Sequence, residues 1–402
     1  SACIFGSPYV ALIVLRFVLG VGAGGVYPLA AVLSVEQGGG SHPQASDDLL
    51  TPEEKRLQLQ NVVLTFSMQG VGFLTVPIVA LPLLHLVHET SLDLVWRLIL
   101  GAGALPGLVL LVLQCRLFGT QRRRNAGHQI LRQNDSSDED AQVASASGSS
   151  RSPSLAQEEP LIDDQEDFDD EIIPSDGIWA SIQKEPDLVR KLIGTAVVWG
   201  LFDMLFYGNT LFQPIVMEAA FGGKSADDEL KKVAVDSLIL GCIALPGYIV
   251  SALVIGKRLC NLVQQTPRYV QLQGFVAMGL LYAIIGAYWS GLKRMPVLLV
   301  ILYGMTFFFA NYGPNTTTFC LPSLVFSNEC RSTLNGISAA SGKMGALLGA
   351  TLFAPAADDL GDDNVMLICA GISVVAFGLT YLCVPSGNNM TTRRASEGGN
   401  DL

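Results

Sequence analysis

The sequence predicts an all-α polytopic membrane protein, and three observations carry that prediction. The 402 residues are 50% hydrophobic and 15% charged, with a mean hydropathy of +0.41, whereas a soluble domain carries about 25% charged residues. Apolar runs of about twenty residues, the length that crosses a bilayer as a helix, recur along the chain. Much of the net charge of −11 is concentrated in one hydrophilic stretch, residues 135–185, so it says little about partners. A soluble enzyme is excluded on this pattern, the lipid bilayer is the expected surrounding, and no nucleic-acid partner is indicated.

Nine spans are read in order: 10–35, 61–84, 95–117, 191–217, 236–256, 270–290, 296–323, 333–354 and 365–384. The seventh is interrupted by Gly313-Pro314, which predicts a break or tilt. Eight cysteines lie scattered without paired spacing and read as small buried hydrophobes. Arg116, Arg122 to Arg124, Lys184, Arg190 and Lys191 flank the long hydrophilic segment and place it in the cytoplasm. Alternation then puts the loops bearing Lys55, Arg56, Lys257, Arg258 and Arg331, and the tail with Arg393 and Arg394, on the same side.

Four regions follow: a three-span bundle over 1–117, an acidic cytoplasmic linker over 118–190, a six-helix bundle over 191–386 and a cytoplasmic tail over 387–402. The linker, with SSDEDAQVASASGSSRS and EEPLIDDQEDFDDE, has the low hydrophobicity and high acid content of disorder. It reads as a solvated tether, or as a docking segment for regulatory partners with Ser136, Ser137 and Ser152 as phosphorylation sites. Many transporters are two six-helix halves built from three-helix repeats. Three spans are half of such a half, and the chain opens on Ser1. The expectation is therefore a chain lacking three N-terminal helices, with a true nine-span protein as the alternative.

The chemistry sits inside the spans. In VWGLFDMLFYGN, Trp199, Asp203 and Tyr207 follow one another by four residues, so they drift only about 40° per step and share one helix face. A mid-span aspartate costs at least roughly 2.5 kcal/mol unless it meets a cavity or a partner. The eighth span carries Lys343 among small residues in ISAASGKMGALLGA, too deep to snorkel easily and in need of an anion. That anion is either Asp203, as a structural ion pair, or a ligand. Gln69 in FSMQGVG is a mid-span amide, read equally as a ligand group or an interhelical hydrogen bond. Asn311, Asn315 and Thr316 to Thr318 form a polar cluster in FFFANYGPNTTTF that needs partners or a wet cavity. The glycines around RFVLGVGAGGVYP permit close approach of a helix or ligand. One cation, one carboxylate and several donors suit a small, strongly hydrated oxyanion, whose water shell must be replaced. No nucleotide-binding or zinc motif occurs, and no cofactor is expected.

RFVLGVGAGGVYPLAA, FSMQGVG, WGLFDMLFYGN, FFFANYGPNTTTF and LNGISAASGKMGA resemble the phosphate:proton symporters of the major facilitator superfamily. The resemblance covers nearly all of the chain except the linker and begins at the family's fourth helix. It implies that superfamily's two-bundle architecture, with inorganic phosphate and protons as partners. It also implies substrate-binding roles for Tyr27, Gln69, Trp199, Asp203, Tyr207, Asn315 and Lys343. Lys343 would neutralise phosphate, while Tyr27, Gln69, Trp199, Tyr207 and Asn315 would donate hydrogen bonds. Asp203 would accept one from a protonated phosphate and serve proton coupling.

Two departures stand against the family pattern. GGDYP becomes Gly24-Gly25-Val26-Tyr27-Pro28, which replaces a proton-linked carboxylate, and the cytoplasmic DxxGR-type loop is degraded to GKRLCNLVQQTPR. Three readings of function result. The first is a secondary phosphate transporter, proton-coupled and working by alternating access, with Asp203 as the surviving titratable group. The second is a carrier of another anion or an organic phosphate on the same fold. The third is a phosphate receptor with little net flux that signals through the linker. The expected location is the plasma membrane, with a vacuolar or other internal membrane as the alternative.

Overall fold

A computed structural model describes residues 8–36, 52–87, 94–116, 178–222, 229–259 and 263–386. The side chains of Tyr27 and Pro28, most of the linker with Ser136, Ser137 and Ser152, and the tail over 387–402 lie outside the described residues. The chain divides into two compact units, one of Ser1–Pro82 with Ile172–Leu402 and one of Leu83–Glu171. The described part of the second consists of residues 83–87, the end of a helix that begins in the first unit, and one apolar helix, α3, Leu94–Arg116.

In the first unit α1 (Pro8–Glu36) and α2 (Pro52–Val87) come first. Both open on a proline at the first helical position, where its missing N–H costs nothing. They meet where the Ser34 hydroxyl donates to Thr65 Oγ1 at 3.1 Å. Helices α4 (Ile178–Lys184) and α5 (Leu188–Leu192) precede a π-helical turn, Ile193–Val197, which runs directly into α6 (Val198–Phe221). Next come α7 (Glu229–Val254) and a two-residue antiparallel ladder, β1 (Arg258–Leu259) with β2 (Val263–Gln264). Thr266 caps α8 (Pro267–Ala287) by accepting from the Tyr269 N–H at 3.3 Å. The short α9 (Trp289–Leu292) leads to α10 (Pro296–Tyr312), α11 (Pro314–Val325), α12 (Asn328–Leu360) and α13 (Asp362–Cys383).

Among the described residues, eight helical segments are long and apolar enough to cross a membrane. The expected fourth span is the ninth helix: 188–221 is helical throughout, but its polar residues, Asp203, Asn209, Thr210 and Gln213 among them, leave it outside the eight. The expected interruption of the seventh span is present at Gly313, between α10 and α11. Gly274 of α8 faces this break, and a Cβ there would lie 2.4 Å from Pro314 Cδ, so α8 holds the break by close backbone contact.

The hydrophilic segment does not stay structureless to residue 190, because α4 and α5 occupy its end. Glu185 between them is buried. Its carboxylate accepts from Lys191 Nζ at 2.5 Å, from the Ser327 N–H at 3.2 Å, from the Ser327 hydroxyl, and from Cys330 Sγ at 3.1 Å. Burial pushes the Glu185 carboxyl up, but the hydrogen bonds from Lys191, Ser327 and Cys330 outweigh it and hold the group below its ordinary value. The end of the linker is thereby fastened to the start of α12.

Aromatic side chains fill the core of the bundle. Phe202 and Phe206 of α6 pack with Phe275 and Tyr282 of α8 and with Tyr303 and Phe307 of α10. Within that core, Asn209 is fully buried; it donates to the Leu205 carbonyl and the Tyr282 hydroxyl, and the Tyr303 hydroxyl donates to its carbonyl at 2.6 Å. A second cluster joins Ala31 of α1 and Val62, Val63 and Phe66 of α2 to Trp199, Tyr248 and Phe319.

Candidate functional site

The site begins in the seam between α6 and α12, which glycines bring together. A Cβ on Gly345 would lie 1.9 Å from the Gly200 carbonyl oxygen, and one on Gly349 would lie 2.2 Å from that of Met204. One on Gly342 would lie 2.7 Å from Trp199 Nε1 and 2.9 Å from Asp203 Oδ2. Small residues at such spacing let two helices touch backbone to backbone where lipid supplies no hydrophobic drive. Here they also leave the indole and the carboxylate seated over a bare backbone.

Asp203 is 4% exposed. Its Oδ2 is buried without a hydrogen-bond partner among the described residues, and the Trp199 side chain hydrogen-bonds the carboxylate. Lys343 Nζ stands 3.8 Å from Oδ2, an ion pair but longer than a hydrogen bond. The same ammonium lies 5.3 Å from the centre of the Tyr207 ring, a cation–π distance. Lys343 is not the buried lysine that the sequence suggests: its side chain is 55% accessible, against 5% for Asp203. The carboxylate is fixed in the seam while the cation opens outward. Buried polar groups need partners, and the partner of Oδ2 among the described residues is the Lys343 ammonium.

A second polar group is built from α2, α7, α10 and α11. Tyr248 is 1% exposed, its ring packed on Gly70, where a Cβ would lie 2.5 Å from Cδ2. Its hydroxyl donates to Gln69 Oε1 at 3.1 Å and accepts from Asn315 Nδ2 at 2.8 Å. Asn315 Nδ2 also donates to Asn311 Oδ1 at 2.8 Å, and Asn311 Nδ2 donates to the Ala244 carbonyl at 3.2 Å.

The structure thus brings together Trp199, Asp203, Tyr207 and Lys343, and separately joins Gln69 to Asn315. One assignment changes. Both N–H bonds of Asn315 are taken within the protein, so what it offers a ligand in this arrangement is the Oδ1 acceptor rather than a donor. The threonines of the polar cluster also find partners inside: Thr316 at the Asn311 carbonyl, Thr317 at Gln271 Oε1, and Thr318 at the Pro314 carbonyl, each 2.7 Å. They supply hydrogen bonds around the helix break. Tyr248 is the residue that sequence reasoning passes over; the signal was a lone hydroxyl beside Pro246-Gly247 in an apolar run. Among the described residues no group of His, Cys, Asp or Glu is placed to hold a metal.

Residues 200–397 match a family model described as sugar (and other) transporter. The chain is 30% identical to the rice protein named probable inorganic phosphate transporter 1-10, over 92% of this chain and 67% of that protein. It is 31% identical to inorganic phosphate transporter PT2 of Toxoplasma gondii, over 96% of this chain and 56% of that protein. To the Arabidopsis thaliana protein named probable inorganic phosphate transporter 1-6 it is 29% identical, over 96% of this chain and 72% of that protein. The chain therefore spans between just over half and about three quarters of these relatives' lengths.

Proposed function

Because the chain belongs to the inorganic phosphate transporter family of the major facilitator superfamily, we propose that it carries inorganic phosphate across a membrane by alternating access, with protons as the coupling ion. The observation that carries this reading is the Asp203–Lys343 pair: a seated carboxylate whose Oδ2 makes no hydrogen bond among the described residues, and a half-exposed cation 3.8 Å from it. A protonated phosphate inserted between them supplies an O–H for Asp203 Oδ2 and negative oxygens for Lys343. Tyr207, the Gln69 amide and Tyr27 are the proposed neutral donors, Trp199 holds the Asp203 carboxylate through its one N–H, and Asn315 Oδ1 is a second acceptor. Matching both donors and acceptors selects an anion that still carries a proton, since a buried acceptor left unpaired costs about 1–3 kcal/mol.

Proton coupling follows from the same atoms. Asp203 is charged when it pairs with Lys343 alone. Sharing a proton with bound phosphate weakens that pair and frees Lys343 to follow the ligand. The three-span bundle over 1–117 and the six-helix bundle over 191–386 are the proposed moving elements of alternating access, and the linker with its regulatory partners is proposed to stay on the cytoplasmic side. The plasma membrane is the proposed location.

Radiolabelled phosphate uptake by the full-length protein in lipid vesicles tests the reading. Lys343→Ala is expected to abolish uptake while the protein still reaches the membrane. Unchanged uptake in that variant would remove the proposed site.

A further inference from the structure

We propose that Tyr248 is a positioning residue that fixes which end of the Gln69 amide faces the anion. The inference rests on reading the site as a phosphate site and adds a residue to it. A backbone carbonyl can only accept, so the Ala244 carbonyl, 3.2 Å from the Asn311 amide, requires Asn311 Nδ2 on that side and leaves Asn311 Oδ1 toward Asn315. That oxygen requires an N–H, so Asn315 presents Nδ2 at 2.8 Å. The second N–H of the same nitrogen meets the Tyr248 hydroxyl at 2.8 Å. With an N–H arriving, the hydroxyl turns its own proton onward to Gln69 Oε1 at 3.1 Å. The carboxamide oxygen of Gln69 is thus held toward Tyr248, and its N–H₂ is turned to the other side.

An amide is ambivalent, able to offer an acceptor or two donors, and an anion site needs the donors. Without Tyr248, Gln69 is free to present its oxygen, which repels a phosphate oxygen. The bonds diverge from Asn315 Nδ2 on α11, one way through Asn311 of α10 to the Ala244 carbonyl of α7 and the other way through Tyr248 of α7 to Gln69 of α2. The ring of Tyr248 is clamped by Gly70 and by Phe66, whose ring centre lies 6.0 Å away, so the hydroxyl has little freedom to move and holds the amide in one orientation. None of this requires Tyr248 to touch phosphate.

The test is Tyr248→Phe in the full-length protein, reconstituted in vesicles, with the phosphate concentration dependence of uptake measured. The phenylalanine ring keeps the packing on Gly70 and Phe66 and removes only the hydroxyl. The KM for phosphate is expected to rise roughly tenfold, the size of one lost oriented hydrogen bond, with Vmax changed less than about twofold. In a Gln69→Ala background, Tyr248→Phe is expected to add nothing, because the group it orients is gone. An unchanged KM in Tyr248→Phe, a loss confined to Vmax, or effects that multiply in the double variant would each overturn the inference while leaving the phosphate site standing. Gln69→Ala with an unchanged KM would overturn the inference together with the role of Gln69 in that site.

Discussion

Replacing Gly345 by alanine strikes the seam between α6 and α12 at its tightest point. The new Cβ would lie 1.9 Å from the Gly200 carbonyl oxygen, where ordinary contact begins near 3.4 Å, so the helices must part by 3.4 − 1.9 = 1.5 Å at that level. The obstacle is backbone, which cannot rotate away as a side chain would. Overpacking of a tight interface costs about 1–3 kcal/mol or more. The same parting moves the backbone that carries Lys343 away from Asp203 and weakens the 3.8 Å ion pair. Gly336 on the same helix is the control, since a Cβ there meets nothing within 4 Å. Alanine is favoured over glycine inside a helix by about 1 kcal/mol, so Gly336→Ala is expected to stabilise. The two variants should therefore move in opposite directions in a thermal unfolding measurement of the detergent-purified protein, with Gly345→Ala several degrees below the parent. Equal melting of Gly345→Ala and the parent would refute the description of the seam.

Two further expectations come from single charges. Asp203→Asn keeps the shape of the side chain and removes its titration, so uptake driven by a proton gradient should be lost; intact pH-driven accumulation would move proton coupling away from Asp203. Glu185 is held below its ordinary carboxylate value of 4.5, so by linkage its contribution is present above that value and is lost as pH falls through the lower folded value. Glu185→Gln should accordingly melt below the parent at neutral pH, and the gap between them should close in acid below about pH 4.5; a gap that persists there would show that packing rather than charge holds α4 and α5 to α12.

The fold was open to the sequence because a bilayer admits so few solutions. Runs of apolar residues locate helices, and Gly313-Pro314 announces its own break. Residue chemistry also offers Asp203 as one of two anions for Lys343, since each is costly alone in an apolar helix, and the structure pairs them at 3.8 Å. Other features lie in relations between distant residues. Tyr248 and Gln69 are 179 positions apart, and nothing local marks a tyrosine in an apolar run as part of a chain rather than an interfacial anchor. The direction of the Asn315 amide depends on a carbonyl of α7, so its expected donor role could be revised only with α7 in place. The glycines of α12 read as general smallness, and the specific partners Gly200 and Met204 emerge only from the crossing of two helices. The helical end of the linker escaped notice because a few apolar residues beside a long acidic tract carry little weight, while the buried Glu185 that anchors it looks like one more acid.

The π-helical turn ahead of α6 gives that seam its length. On a regular α-helix Thr195 and Gly200 would stand about 140° apart, five steps of about 100° each. Yet both face α12: the Ser338 hydroxyl donates to Thr195 Oγ1 at 3.1 Å, and Gly200 packs on Ser341. The one extra residue that a π turn accommodates takes back about 100° of rotation and leaves only about 40° between them. Residues 193–197 therefore act as a phase correction, resetting the winding ahead of α6 so that the stripe of α12 that receives Thr195 also receives Gly200.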